Sequence, residues 1–279
     1  MNARSALRAS PVALLLFLAC ASPPPRLAPA PSAPAPSAPA SALAPASALA
    51  SAPAPAPPPV RRPGAYANLD PDDDYVLGPP DPYADCEAEL TAAGVKFKSA
   101  TLPVHVAGHS KSKITCGAPQ VVTYLRGPGS IAYNAAPLLT CAMALALASF
   151  ERILQKEAVE QLGSPVARID QLGTYNCREM AAYPGWVSEH SYANAIDIGS
   201  FTLKNGKSIE VLRDFDVGDA PPAKPAASFL RAVSRRANDE DVFSHVLTPF
   251  FDAHHKNHFH LDLARFRADG TRPQVSQVD

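Results

Sequence analysis

Between Ala21 and Pro63 the chain carries 15 prolines in 43 residues, interleaved mostly with alanine and serine. No other feature constrains the fold as much. Proline cannot donate to a helix or sheet ladder, and a tract without large apolar side chains has little to bury. The segment is expected to be an extended, polyproline-II-like tether reaching at most about 130 Å. The stretch "LDPDDDYVLGPPDPY" then adds acidic residues and turn formers before any periodic pattern begins. The expected organisation is residues 1–20 as an export signal, 21–79 as tether and acidic linker, 80–267 as one folded domain, and 268–279 as a tail.

The N-terminus supplies Arg4 and Arg8, then the apolar run "PVALLLFLAC". This run is too short to span a bilayer and has the form of an export signal. Cys20, in "FLAC", stands where a bacterial lipobox carries its lipidated cysteine, with Phe17 in the place of the usual leucine. The alternative is an ordinary signal peptide with an incidental cysteine. Either way the domain is expected in the bacterial cell envelope, as an outer-membrane lipoprotein facing the periplasm or as a secreted protein. It would meet a membrane only through a lipid anchor. A formal net charge of −1, from 25 Lys and Arg against 26 Asp and Glu, gives no field for a nucleic acid. No nucleic-acid partner is expected.

Four cysteines follow: Cys86, Cys116, Cys141 and Cys177. An even number in an exported chain indicates two disulfides, and the wide spacing does not suit a compact zinc knuckle. Three pairings are open, with Cys86–Cys116 and Cys141–Cys177 the favoured one.

The clearest helix is "LLTCAMALALASFERILQKEAVEQL", between Pro137 and Gly163. Proline before the first turn and glycine past the last are its punctuation. Its first half is apolar nearly all round, so it is expected as a buried central helix rather than a membrane segment. A second helix falls in "AASFLRAVSRRAN", Ala226 to Asn238. "PVARIDQLG", "AIDIGSFTL" and "HFHLDLARF" pattern as strands, and Asn205-Gly206 between two strand-like runs signals a hairpin. The order of helices and strands implies an α+β domain with an antiparallel sheet.

Eight histidines occur in the chain, and four of them, His254, His255, His258 and His260, fall within seven positions. Histidine is the commonest metal ligand and the side chain that most readily moves a proton near neutral pH. On a strand starting at His258, the side chains of His258, His260 and Asp262 share one face, while Phe259, Leu261 and Leu263 face the core. Asp262 either orients a metal-bound histidine or sits in solvent. A second constellation lies in "SEHSYANAIDIG". His190 and Asp197 would lie about 10.5 Å apart along a helix, too far for one ion, so a turn must fold them together. With Asp197 on the strand "AIDIGSF", Ile196 and Ile198 face the core and the carboxylate faces away. His190, Asp197 and one late histidine would give three ligands and an open position, the pattern of a catalytic zinc site. Such a site makes water a nucleophile near neutral pH. His105, His109 and His245 read as structural or surface residues, and His254 as solvent-facing.

"SEHSYANAIDIG" and "HFHLDLA", supported by "GVKF", "LTCAMALAL", "YNCRE" and "NGKSIEV", resemble the bacterial extensin-like C-terminal domain family over about Cys86 to Leu263. That family is in turn similar to zinc peptidases of the D-Ala-D-Ala carboxypeptidase, lysostaphin and murein endopeptidase group. The resemblance implies their hedgehog-like fold, with a central antiparallel sheet, a buried long helix and flanking helices. It implies zinc held by His190, Asp197 and His260, with His258 as the catalytic histidine beside the metal. His255 matches a further histidine with a substrate or proton-transfer role. Arg178 matches an arginine that holds a substrate carbonyl or carboxylate, and Ser188 a serine that contacts substrate. Both also have plainer readings, an ion pair for Arg178 and a turn cap for Ser188. Many carboxypeptidases of the group carry an acidic base where this chain has Asn257, which cannot accept a proton near neutral pH.

The function expected is that of an exported, lipid-anchored zinc peptidase acting on amide bonds of peptidoglycan or a similar short peptide. The rival is a binding module on the same fold that recognises wall peptide without cleaving it.

Overall fold

The computed structural model describes residues 78–109, 112–180 and 186–273. The segment expected as an export signal, Cys20 and the proline tract lie outside the described residues. In chain order the elements are α1 (Cys86–Ala92), β1 (Lys96–His109), β2 (Ser112–Arg126), β3 (Ala132–Tyr133), β4 (Leu138–Thr140) and α2 (Cys141–Leu162). They continue with β5 (Val166–Gly173), β6 (Ala195–Leu203), β7 (Ser208–Glu210), α3 (Val211–Asp214), α4 (Pro225–Asp239), β8 (His245–Leu247), β9 (Phe259–Asp262) and β10 (Ala268–Gly270). The domain is therefore α+β, as the pattern implied.

The long helix α2 begins at Cys141, three residues later than expected. Residues 138–140 instead pair with β2 as a short strand. Thr140 is the turning point: its Oγ1 accepts the Met143 amide at 3.3 Å and caps the helix. Gly163 closes the other end with φ 67°. The helix is buried from Cys141 through Ala158 on most of its circumference, so its weak amphipathicity has a simple cause: it is surrounded. Its core partners include Val122 and Tyr124 of β2, Ile198 and Phe201 of β6, Phe259 of β9 and Phe229 of α4. Phe201 packs edge-on against Phe229, and Phe150 against Phe243.

The sheet structure departs from a single antiparallel sheet. β1, β2 and β4 form a three-stranded antiparallel sheet, and a larger sheet runs in the order β10-β8-β9-β6-β5-β3, with β7 beside β6. Both edges of the larger sheet are parallel pairings, β3 with β5 and β10 with β8. β10 lies past the boundary expected at Arg267, so the ordered fold extends into the segment expected as a tail. The Asn205-Gly206 hairpin forms as expected, joining β6 to β7. No described helix is long and apolar enough to cross a membrane.

The disulfides are Cys86–Cys141 and Cys116–Cys177, which corrects the expected pairing. The reason is topological. The long β1–β2 hairpin carries Cys116 away from α1 and against the segment before the Glu189–Tyr192 turn. There Ile114, Cys116, Val187 and Tyr192 form a second small core. Cys86, on α1, meets instead the first residue of α2.

One buried carboxylate organises the first sheet against α2. Glu151 accepts hydrogen bonds from Tyr124 Oη at 3.1 Å, Tyr133 Oη at 2.7 Å and the Gly129 amide at 2.8 Å. Gly127 makes room for this cluster: a Cβ there would stand 1.8 Å from Tyr124 Oη and 2.4 Å from Glu151 Oε2. Thr140 also donates its hydroxyl to Asn194 Oδ1 at 2.9 Å, tying the start of α2 to the turn that carries His190. Thr140→Ala loses both the cap and this bond. It is expected to lower unfolding stability by about 1–2 kcal/mol, read from urea melts, whereas Thr140→Ser is expected to keep most of it.

Candidate metal centre

The cross-strand register decides the site. β6 and β9 pair antiparallel with Ile196 opposite Leu261, Asp197 opposite His260, and Ile198 opposite Phe259. Ile196, Ile198, Phe259 and Leu261 are fully buried on the α2 side. Alternation then sends Asp197 and His260 to the other face as immediate neighbours. His260 Nδ1 lies 2.9 Å from Asp197 Oδ1.

His190 arrives from a single helical turn, Glu189–Tyr192, just before β6. That turn ends at Ala193 with φ 55°, and Asn194 then locks it. Asn194 is fully buried, and its Nδ2 donates to Glu189 Oε2 at 2.7 Å and to the Leu263 carbonyl at 3.2 Å. The turn supplies the bend between His190 and Asp197 that one ion would require. His190 Nε2 comes within 3.2 Å of both Asp197 Oδ1 and His260 Nδ1. A tetrahedral ion with bonds of about 2.0–2.1 Å spaces its ligand atoms about 3.3–3.4 Å apart. The observed triangle, with sides of 2.9, 3.2 and 3.2 Å, is within a few tenths of an ångström of that. Among the described residues these three are the His, Cys, Asp and Glu side chains whose ligand atoms cluster closely enough to share an ion.

The outer partners of both histidines are defined. His190 Nδ1 donates to the Thr174 carbonyl at 3.2 Å, so Nε2 is the nitrogen that would offer its lone pair to an ion. His260 Nε2 lies 2.8 Å from Asp262 Oδ2. Asp262 is buried, so the reading that left it in solvent does not hold. Burial works against the charge of His260, but its hydrogen bonds to Asp197 and Asp262 outweigh this and push its pKa up to about 10. Burial likewise opposes the charge of Asp197, and the bonds from His190 and His260 hold its carboxyl well below the usual carboxylate range. Burial and the charge of Asp262 push Glu189 up to about 7.

His258 sits just before β9. Its Nε2 lies 3.5 Å from Asp197 Oδ1, and its Nδ1 meets Asn257 Oδ1 at 2.9 Å. Burial pushes it down to about 4, so near neutral pH the ring is uncharged. Asn257, which cannot act as a base, fixes the tautomer of His258 and leaves Nε2 as the accepting nitrogen. His255 is half-buried with its ring 5.3 Å from that of His258, and Asp252 Oδ1 holds its Nδ1 at 2.7 Å. His254 is exposed, as expected.

Asp197, His258 and His260 line a cleft of about 490 Å³, together with Arg178, Ser188 and His255. Arg178 is held by its backbone: its amide donates to Ser191 Oγ at 2.9 Å, and its carbonyl accepts from the Ser188 amide at 3.1 Å. The neighbouring Cys116–Cys177 disulfide pins the same segment. Among the described residues no carboxylate lies within ion-pairing reach of its guanidinium, whose one side-chain bond is to the Glu179 carbonyl at 3.3 Å. The Ser188 side chain makes no cap bond, so the capping alternative drops away. Sequence reasoning missed Asn194, Ser191, Asp252 and His245. Asn194 sits in the quoted "SEHSYANAIDIG", where a small polar residue following alanine in a turn was the available signal. Asp252 caps the turn that carries His255, and an aspartate three residues before that histidine was its local signal; Ser191 and His245 depend on contacts with distant segments.

An α+β domain with a His-Asp-His cluster beside a cleft is the class that fold and site define. The chain belongs to the extensin-like family: the family described as Extensin-like protein C-terminus matches residues 84–272. No curated protein and no solved structure matches the chain.

Proposed function

We propose that this domain is a zinc-dependent hydrolase, built like the D-Ala-D-Ala metallopeptidases, that cleaves amide bonds in peptidoglycan peptides. The chain would be exported and held to the cell envelope by a lipid on Cys20, with the proline tract as its tether. The observation that carries the reading is the convergence of His190 Nε2, Asp197 Oδ1 and His260 Nδ1 to within 3.2 Å of one another, beside a cleft. Two imidazoles and one carboxylate suit zinc, and the cleft leaves room for water and substrate.

Zinc held by these residues would supply a Lewis acid that polarises an amide carbonyl and acidifies nearby water. The chain's own groups do the rest. His258, uncharged and with Nε2 as its accepting nitrogen, takes a proton beside the ligand cluster and returns it to the leaving amine. Arg178, with no carboxylate partner among the described residues, offers a cation to a substrate carbonyl or carboxylate. The half-exposed Trp186 and Phe266 add apolar surface to the cleft wall.

The second reading, a wall-peptide binding module, draws on Asn257, which would stand where many D-Ala-D-Ala carboxypeptidases carry an acidic base if the resemblance to them holds. Digesting purified peptidoglycan with the full-length protein separates the two. Wild type is expected to release peptide fragments detected by mass spectrometry, and a chelator to stop release. His258→Ala is expected to lower the rate about 10²-fold while zinc content by elemental analysis stays at wild-type level. If wild type and variant are equally inert with zinc bound, the binding module is correct.

A further inference from the structure

The larger sheet places a second polar row beside the ligand cluster. β8 pairs with β9 so that His245 stands directly opposite Asp262, two pairs along from Leu247 opposite His260. Asp262 is 2% exposed and His245 lines the cleft. Asp262 Oδ2 meets His260 Nε2 at 2.8 Å and His245 Nδ1 at 3.1 Å, while Oδ1 accepts the Ala264 amide at 2.9 Å. All three partners of this carboxylate can act as donors, and the Ala264 amide can do nothing else. An ionised carboxylate can only accept, so Asp262 offers a place for the His260 proton on Nε2. An ion bound by His190 and Asp197 would take the lone pair of Nδ1, the atom that faces His190 Nε2 and Asp197 Oδ1, and the proton left on Nε2 already has its acceptor.

We propose that Asp262, backed by His245, is a positioning pair that presets the metal-binding tautomer and ring orientation of His260. This rests on the zinc reading above. His245 acts only through Asp262: it fills the remaining acceptor direction of Oδ2 and holds the carboxylate against the sheet, so that Asp262 cannot turn away from His260. A carboxylate behind a ligating histidine also makes that histidine a stronger donor to the metal. The cluster therefore runs His245–Asp262–His260 across two strands before it reaches the ion. His245, which reads in the sequence as structural or surface, becomes part of the site by register alone.

The test is zinc affinity of the full-length protein, measured by competition with a chromophoric chelator, alongside thermal midpoints in excess chelator. Asp262→Asn is expected to weaken zinc binding about 10–100-fold, and His245→Leu about tenfold, with metal-free midpoints near wild type. His245→Asn, whose Nδ2 can stand where Nδ1 stands, is expected to restore affinity. In the Asp262→Asn background, His245→Leu is expected to add nothing, because residues acting through one another are not additive. Unchanged affinity in Asp262→Asn, or a full independent loss from His245→Leu in that background, overturns the proposal. If Asp262→Asn does not fold, the Leu and Asn variants of His245 decide, and equal affinity in both overturns it. A wild type that binds no zinc overturns this inference together with the hydrolase reading, whereas zinc-binding wild type with indifferent variants overturns this inference alone.

Discussion

Alanine at His190, Asp197 or His260 is expected to lower zinc affinity by more than about 10³-fold and to abolish peptidoglycan cleavage, an effect above about 4 kcal/mol. Each side chain supplies one of three converging atoms, and two remaining protein ligands do not make a tight zinc site. The three are not equal in their folding role. His190 is 2% exposed and donates to the Thr174 carbonyl, so its loss also disturbs the turn. Asp197 lies on the open face of β6, and Asp197→Asn keeps its shape while removing the charge. The decisive comparison is therefore Asp197→Asn with His258→Ala: the first loses zinc and activity together, the second only activity. Metal content by elemental analysis and product release by mass spectrometry read the two separately. Retention of stoichiometric zinc in Asp197→Asn and His260→Ala would remove the foundation of the hydrolase reading.

The second large effect concerns stability. Glu151→Ala leaves two tyrosine hydroxyls and the Gly129 amide without their acceptor in the interior. At about 1–3 kcal/mol for each stranded group, partly relieved by entering water, the expected loss is about 3–5 kcal/mol. Denaturant unfolding of the metal-free protein measures it without interference from the site. The same residue has a pH signature. Burial raises the Glu151 pKa above its ordinary value, more than the three hydrogen bonds lower it. A raised folded-state pKa gives a contribution that is complete below the ordinary glutamate range and is lost as pH rises through the folded value. Wild type is thus expected to lose stability relative to Glu151→Gln, which does not titrate, between about pH 4.3 and the raised pKa. A gap between the two that stays constant across this range would show that Glu151 keeps an ordinary pKa.

Legibility differed sharply from element to element. β6 is legible to its ends, because buried Ile196 and Ile198 flank Asp197 and buried Phe201 and Leu203 flank Thr202, two short alternating runs joined at Gly199 and Ser200. The β1–β2 hairpin, with strands of 14 and 15 residues, was not read. Its register shifts at three places, near Lys96, Ala100 and Leu102, and much of β1 is exposed, so no steady alternation survives in the sequence. That omission also bears on the disulfides: the expected pairing joined the cysteines in chain order, whereas the hairpin brings Cys116 to Cys177. His190, Asp197, His258 and His260 could be named beforehand because their spacing and order match a family pattern. His245 could not, because its contact with Asp262 joins two different strands 17 residues apart and leaves no local signal.

By itself the amino-acid sequence determined the α+β class, the buried alanine-rich helix, the strand that exposes Asp197 and the histidines with metal-ligand chemistry. Those properties follow from side-chain volume, periodicity and capping, which act over a few residues. Tertiary structure alone decided which cysteines meet, that His260 stands between Asp197 and Asp262, and that His245 stands behind Asp262. These depend on the register between strands distant in the chain, and a one-residue slip in that register would send every one of these side chains to the opposite face.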